Sequence, residues 1–147
     1  MFKHILVPID GSASSLLAVD KAAGLAKAFG SQVTAAYVID PYPFTGVGAE
    51  FALGQEQYLI AAKAEAAAAI DATNERLRQA GVAGEAIVVE SHTIWRGILD
   101  TAGQKGADLL VMGSHGRRGL EKLVLGSVTQ SVLTHTKITT LVVRGEG

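Results

Sequence analysis

Short apolar runs alternate along this sequence with longer segments in which apolar residues recur at every third or fourth position. The runs have the length of β-strands, and the recurring positions are typical of helices with one buried face. The predicted strands are His4–Ile9, Val33–Ile39, Ala86–Val89, Leu109–Met112 and Thr140–Val143. The predicted helices are Ser14–Phe29, Gln55–Ala80, Ile94–Lys105 and Ser127–His135.

Turn residues separate these elements. Asp10-Gly11-Ser12 follows the first strand and supplies both a turn and a helix cap, because short polar side chains bond the open amides of a first turn. Gly30 and Gly81 follow predicted helices and are expected to end them. The Pro41–Gly54 segment, with two prolines and three glycines, is the candidate insertion loop.

The alternation of strands and helices predicts the fold class. Repeated β-α units form parallel sheets with right-handed crossovers and helices on both faces. Strands that are apolar throughout fit a sheet buried on both sides. We therefore expect one α/β domain over residues 1–147, a doubly wound, Rossmann-like, five-stranded parallel sheet of order 3-2-1-4-5.

Composition narrows the class of protein. The chain has 147 residues, of which 48% are apolar, and a formal net charge of −1, so no overall field favours nucleic acid or anionic membrane. It contains no cysteine, which excludes a disulfide framework, a thiolate zinc site and a cysteine nucleophile. The pattern of a signal peptide or of a membrane span is absent. We expect a cytoplasmic protein that binds neither nucleic acid nor membrane.

A glycine-rich segment lies where a sheet of this order binds ligands. In open parallel sheets the ligand sits beyond the carboxyl ends of the strands, where the strand order reverses. The first and fourth strands flank that point, and Asp10 follows the first of them. The fourth opens the pattern Gly113-x₂-Gly116-x₉-Gly126-Ser127.

This spacing points to phosphate binding. Glycines let backbone N–H groups approach an anion and permit positive φ, and the N-terminus of a helix, here at Gly126-Ser127, favours phosphate oxygens. Arg117, Arg118 and Lys122 make the intervening loop locally basic, and His115 lies within it. The alternatives are an ordinary loop with a helix cap and, for Asp10, a turn former only.

The same residues carry a family resemblance. The stretch from Asp108 to Val143, which contains DLLVMGSHGRRGL and LGSVTQSVL, resembles the signature of the universal stress protein family. The opening HILVPIDGS resembles the first strand and turn of that family. The ATP-binding branch of the family is marked by Gly-x₂-Gly-x₉-Gly-Ser/Thr, which this sequence matches.

The resemblance implies ATP and Mg²⁺ as ligands and assigns residues to them. The residues implied to hold the phosphates are Gly113, Gly116, Gly126 and Ser127. Asp10 would face the ribose or a phosphate-bound Mg²⁺. The residues implied to complete the pocket are Pro8, Val38, Met112 and Val128, with Val38 against the adenine.

The sequence also departs from the family pattern. Many members carry a glycine after the third strand, where this chain has Ser91-His92, and many carry a proline-containing turn before the last strand, where it has residues 136–139. The first departure affects the adenine side of the pocket, and the second affects the placement of the last strand. Neither alters the phosphate motif.

The function expected from these features is that of an ATP-binding stress protein whose nucleotide modulates stability or partner interactions. The alternative is a slow ATPase or nucleotide-dependent transferase using the same pocket. The lysine of P-loop enzymes is missing, and no general base is evident for the γ-phosphate. A related cyclic-nucleotide binder is a third possibility.

An apolar strand at Thr140–Val143, placed at a sheet edge, predicts a homodimer through that strand.

Overall fold

A five-stranded sheet is the centre of the fold in the computed structural model, which describes residues 1–41, 49–114 and 125–145. Its strands are β1 (His4–Ile9), β2 (Gln32–Ile39), β3 (Gly84–Glu90), β4 (Leu109–Gly113) and β5 (Thr140–Val143). The helices are α1 (Ala13–Phe29), α2 (Ala49–Ala80), α3 (Ile94–Lys105) and α4 (Ser127–His135).

The strand order is β3-β2-β1-β4-β5, and every neighbouring pair is parallel. The predicted doubly wound, Rossmann-like fold is therefore confirmed. The strand order reverses between β1 and β4, where Ile5 lies opposite Leu109 and Leu6 opposite Leu110. The cleft above these two strands is the place where such a sheet opens for a ligand.

The element boundaries differ from the prediction at a few ends. Helix α2 begins at Ala49, six positions before the predicted Gln55, so the loop expected over Pro41–Gly54 is shorter than predicted, and residues 42–48 lie outside the described part. Strand β3 is longer at both ends than Ala86–Val89, and Gly113 is the last residue of β4.

The core has one apolar cluster on each face of the sheet. Ile5, Val7 and Ile9 of β1 pack with the alanines of α1 and α2, whereas Leu6 packs with α3 and α4. Both sets of side chains are buried because the central strands have helices on both sides, as the continuous apolar runs indicate.

Local interactions fix the ends of α1 and the start of the chain. The Ser12 Oγ accepts the N–H of Ser15 at 3.1 Å and caps α1, and Gly30, with φ of 68°, ends it. The Asp108 carboxylate accepts the N–H groups of Lys3 and His4, and these hydrogen bonds lower the pKa of that carboxyl group.

Among the described residues, no helix combines the length and the apolar character that crossing a membrane requires.

Candidate functional site

A cavity of about 410 Å³ lies at the carboxyl ends of β1, β2 and β4. Its volume is within the usual range of small-molecule sites. Each of these strands contributes its last residues to the lining, and α3 and the N-termini of α1 and α4 complete it. The cavity is therefore where the strand order predicted a ligand.

The lining divides by element into apolar and polar parts. Apolar side chains come from β2 and α3, namely Val38, Ile94 and Ile98. Hydroxyl groups come from the first turns of α1 and α4, at Ser12, Ser15, Ser127 and Thr129. A lining with both apolar and hydroxyl-bearing parts suits a ligand that has a flat ring and oxygen-rich groups.

Two helix N-termini meet at this cavity, and they differ in how they are capped. The α1 cap, Ser12, already accepts the N–H of Ser15 through its own side chain. The α4 cap is Gly126, which has no side chain to offer the first-turn amides. The amides and the positive dipole end of α4 thus form the better seat for an anion.

Helix α4 is fixed to the end of β4 by two hydrogen bonds. The Gly126 N–H donates to the Ser114 carbonyl oxygen at 2.7 Å, and the Thr129 Oγ1 donates to the Gly113 carbonyl oxygen at 2.9 Å. These bonds hold the anion seat beside β4. Gly116 and the other predicted loop residues, His115, Arg117, Arg118 and Lys122, lie outside the described residues.

The structure corrects the physical reason for two motif glycines. Neither Gly113 nor Gly126 has a positive φ, so the argument from left-handed backbone does not apply to them. A methyl group on Gly113 would overlap Ser14 Oγ and would lie 3.1 Å from Ser14 Cβ. Gly113 is therefore required by the close approach of α1 to β4, apart from any contact with phosphate.

Gly113→Ala is expected to lower the free energy of unfolding by about 1–3 kcal/mol, the usual cost of overpacking. Because Ser14 Oγ is buried and has no hydrogen-bond partner among the described residues, Ser14→Ala should cost little by itself and should recover part of that loss in the double variant. Urea unfolding of the four proteins measures the coupling. Additive effects would contradict the Ser14 contact.

Asp10 lies in the cavity lining and also shapes the turn. Its Oδ1 accepts the N–H of Ser12 at 2.9 Å, which is the turn-forming role considered from the sequence. No group of three or more metal-ligating side chains is found in the described part of the chain. A single carboxylate suits Mg²⁺ that is held mainly by phosphates and water.

The structure brings most of the predicted site residues together. Gly116 lies outside the described residues. The predicted residues that line the cavity are Pro8, Asp10, Val38, Met112, Gly113, Gly126, Ser127 and Val128. Their contact with a nucleotide stays a prediction.

Sequence reasoning missed eight lining residues: Ile9, Ser12, Ser15, Ala36, Tyr37, Ile94, Ile98 and Thr129. The two serines could have been predicted from the sequence, because Ser12 lies in the turn after β1 and Ser15 lies in the first turn of α1 that follows. The two isoleucines of α3 could not, because their place depends on how α3 crosses the sheet.

An aromatic stack joins α3 to α4 beside the cavity. The rings of Trp95 and His135 are 3.9 Å apart between centroids and inclined by 14°, and the Arg96 guanidinium carbon lies 5.2 Å from the Trp95 ring. Trp95 follows Ile94, which lines the cavity. The stack therefore links the two helices that contribute neighbouring parts of the cavity wall.

Comparison with known sequences gives a consistent result. The model of the "Universal stress protein family" matches residues 1–144. A universal stress protein of Methanocaldococcus jannaschii is 35% identical over 144 residues, which cover 98% of this chain and 83% of that protein.

Solved structures extend the comparison. A universal stress protein in complex with cAMP is 30% identical, superposes with a TM-score of 0.74, and the match covers 99% of each chain. A universal stress protein of Lactobacillus plantarum is 26% identical with a TM-score of 0.80, and the match covers 97% of each chain. The first of these proteins binds a nucleotide.

Proposed function

The chain belongs to the universal stress protein family, and on that premise we propose that it is an ATP-binding member whose nucleotide adjusts its stability or its choice of partners. One observation carries the proposal. The glycine-capped N-terminus of α4 borders a cavity that also has an apolar lining from β2 and α3. A nucleotide has the same division into a flat base and an anionic tail.

In this proposal the base lies against Val38 and Met112, and the phosphates lie at the N-terminus of α4. The first-turn amides and the Ser127 hydroxyl donate to phosphate oxygens. Mg²⁺, when bound, would neutralise phosphate charge, and Asp10, a carboxylate of the cavity lining, would face it. Gly126 keeps side-chain atoms away from the first-turn amides of α4.

The proposal includes a homodimer joined through β5 and a location in the cytoplasm, where ATP is abundant. The dimer is supported by the position of β5 at the edge of the sheet and by the exposure of Leu141 on it.

Millimolar Mg-ATP is expected to raise the melting temperature. A ligand bound only to the native state contributes about 2.7 kcal/mol at a hundredfold excess over Kd, which for a chain of this size corresponds to roughly 5–10 °C. The measurement is a thermal melt with Mg²⁺ alone as the control. An unchanged melt, with no nucleotide released from the purified protein by denaturation, would contradict ATP binding.

ATP hydrolysis is expected to be slow, below about 1 s⁻¹, the low end of ordinary turnover. The cavity supplies groups that bind phosphate, but its described lining includes no lysine, arginine or histidine to stabilise the transferring group. Steady-state phosphate release measures the rate. Release at typical enzyme rates that Asp10→Ala abolishes would favour the ATPase alternative.

A cyclic nucleotide is the second candidate ligand, because the relative that is 30% identical is in complex with cAMP. Cyclic AMP offers the same base to Val38 and Met112 but only one phosphate charge to α4. Competition between the two ligands, measured by displacement of bound ATP, distinguishes them. Displacement at a cAMP concentration well below that of ATP would favour the cyclic nucleotide.

A further inference from the structure

Helix α3 comes unusually close to the rest of the fold at Gly97, which is buried. A methyl group on Gly97 would lie 2.8 Å from Ser91 Cβ and 2.9 Å from Val38 Cγ1. Carbon atoms that are not bonded to each other do not approach so closely in a packed interior. Any larger residue at this position therefore displaces one of its neighbours.

Ser91 is held in place by its hydrogen bonds. Its N–H donates to the Ile39 carbonyl oxygen at 2.9 Å, and its Oγ donates to the Thr93 carbonyl oxygen at 2.8 Å. Gly97 is fixed only within α3, since its carbonyl oxygen accepts the hydroxyl of Thr101 of the same helix at 2.8 Å. The neighbours that can give way are the Val38 side chain and α3 as a whole.

Either movement changes the cavity. Val38 lines it from β2, and Ile94 and Ile98, on either side of Gly97 in the sequence, line it from α3. The atoms nearest to such a methyl group belong to Ser91 and Val38, and neither residue belongs to α4, the helix of the phosphate seat. A larger residue at position 97 thus acts first on the apolar wall.

We propose that Gly97 is a positioning residue that sets the spacing between β2 and α3 and so admits an adenine base to the apolar end of the cavity. The inference rests on the proposed function and adds to it a residue that determines base recognition. The absence of a side chain lets α3 approach Val38, so that Val38, Ile94 and Ile98 enclose a flat ring together.

The test compares a ligand with a base to one without it. Calorimetric titration with Mg-ATP and with Mg-tripolyphosphate is carried out on the wild type and on Gly97→Ala. We expect Gly97→Ala to weaken ATP binding about tenfold, which is equivalent to about 1.4 kcal/mol, and to leave tripolyphosphate binding unchanged. If Gly97 had a merely structural role, Gly97→Ala would weaken the binding of both ligands equally or of neither.

Gly103 supplies the matched control because it lies on the same helix and a methyl group there meets no atom within 4 Å. Gly103→Ala should bind both ligands as the wild type does. The double variant Gly97→Ala/Ser91→Gly removes the Ser91 side chain, which makes the tighter of the two contacts and lies outside the cavity lining. The contact with Val38 remains in this variant. We expect the double variant to recover part of the ATP affinity and to bind about threefold more weakly than the wild type.

Three results would overturn the inference. They are unchanged ATP affinity in Gly97→Ala, equal losses for both ligands, and a loss of the same size in Gly103→Ala. If Gly97→Ala does not fold, the double variant decides, and ATP affinity equal to that of the wild type would then overturn it. A wild type that binds neither ligand contradicts the proposed function itself, which is a different outcome from normal ATP binding in Gly97→Ala.

Discussion

Gly126→Val is expected to abolish nucleotide binding and to leave the protein folded. Gly126 caps α4 with φ of −63° and ψ of 156°, an extended conformation that valine also adopts. The substitution should therefore cost about 1 kcal/mol as a poorer cap, against a typical total stability of 5–15 kcal/mol. The branched side chain would stand where the proposal places phosphate oxygens. Calorimetric titration with Mg-ATP beside circular dichroism measures both effects.

Gly126→Ser separates capping from binding. A serine cap is better than glycine by a few tenths of a kcal/mol, because its Oγ accepts an amide of the first turn. Those amides are the ones that a phosphate would need. We expect slightly higher stability with weaker ATP binding, although not as weak as in Gly126→Val. Normal ATP affinity in both variants would show that this end of α4 does not hold the nucleotide.

The second large effect is expected on the assembly: a homodimer in the wild type and a monomer in Val142→Pro. Strand β5 is at the edge of the sheet, with no described strand on its outer side. Leu141 on β5 is 41% exposed, which leaves apolar surface at this edge. Proteins rarely leave such an edge open, and a two-fold axis lets two copies satisfy it together.

The pairing pattern identifies Val142 as the residue to change. The Leu110 N–H donates to the Thr139 carbonyl oxygen, and the Ser114 N–H donates to the Val143 carbonyl oxygen. The backbone N–H and carbonyl groups of every second residue of β5 therefore point toward β4. Val142 lies between two such residues, and its N–H and carbonyl groups point away from β4. Proline at this position removes an outward donor without breaking the β4–β5 ladder.

Val88→Pro is the matched control on the opposite edge. The Ser91 N–H donates to Ile39 in β2, which places the odd-numbered residues of β3 toward β2 and Val88 outward. Val88 is 47% exposed. Light scattering at micromolar concentration should show a monomer for Val142→Pro and a dimer for Val88→Pro. A monomeric wild type, or the reverse behaviour of the two variants, would exclude β5 as the interface.

The succession of strands and helices could be predicted because its signals are local. Apolar runs, caps such as Ser12 and stops such as Gly30 each act within one or two turns, and the crossover rule then limits the topology. The ends of β3 could not be predicted in this way. Gly84 and Glu85 are in the strand because they pair with Val33 and Thr34 of β2, and that pairing is set by the register of distant segments.

The candidate site likewise has residues that local sequence signals predict and residues that only the packing of distant segments reveals. Asp10, Gly113, Gly126 and Ser127 could be predicted as site residues because each lies at the end of a predicted strand or at the start of a predicted helix. The contacts of Gly113 with Ser14, and of Gly97 with Val38 and Ser91, join parts of the chain that are far apart in sequence. Each glycine appears replaceable until the packing of a helix on the sheet is known.

The stack of Trp95 on His135 also has an optical consequence. Trp95 is the only tryptophan of the chain, so the indole emission of the protein comes from one position. That position is the contact between α3 and α4, next to Ile94 in the cavity wall. A shift of α3 relative to α4 would change the overlap of the two rings. The unlabelled protein therefore carries its own fluorescent reporter of this wall, and titration with ligand can be followed at the emission of a single residue.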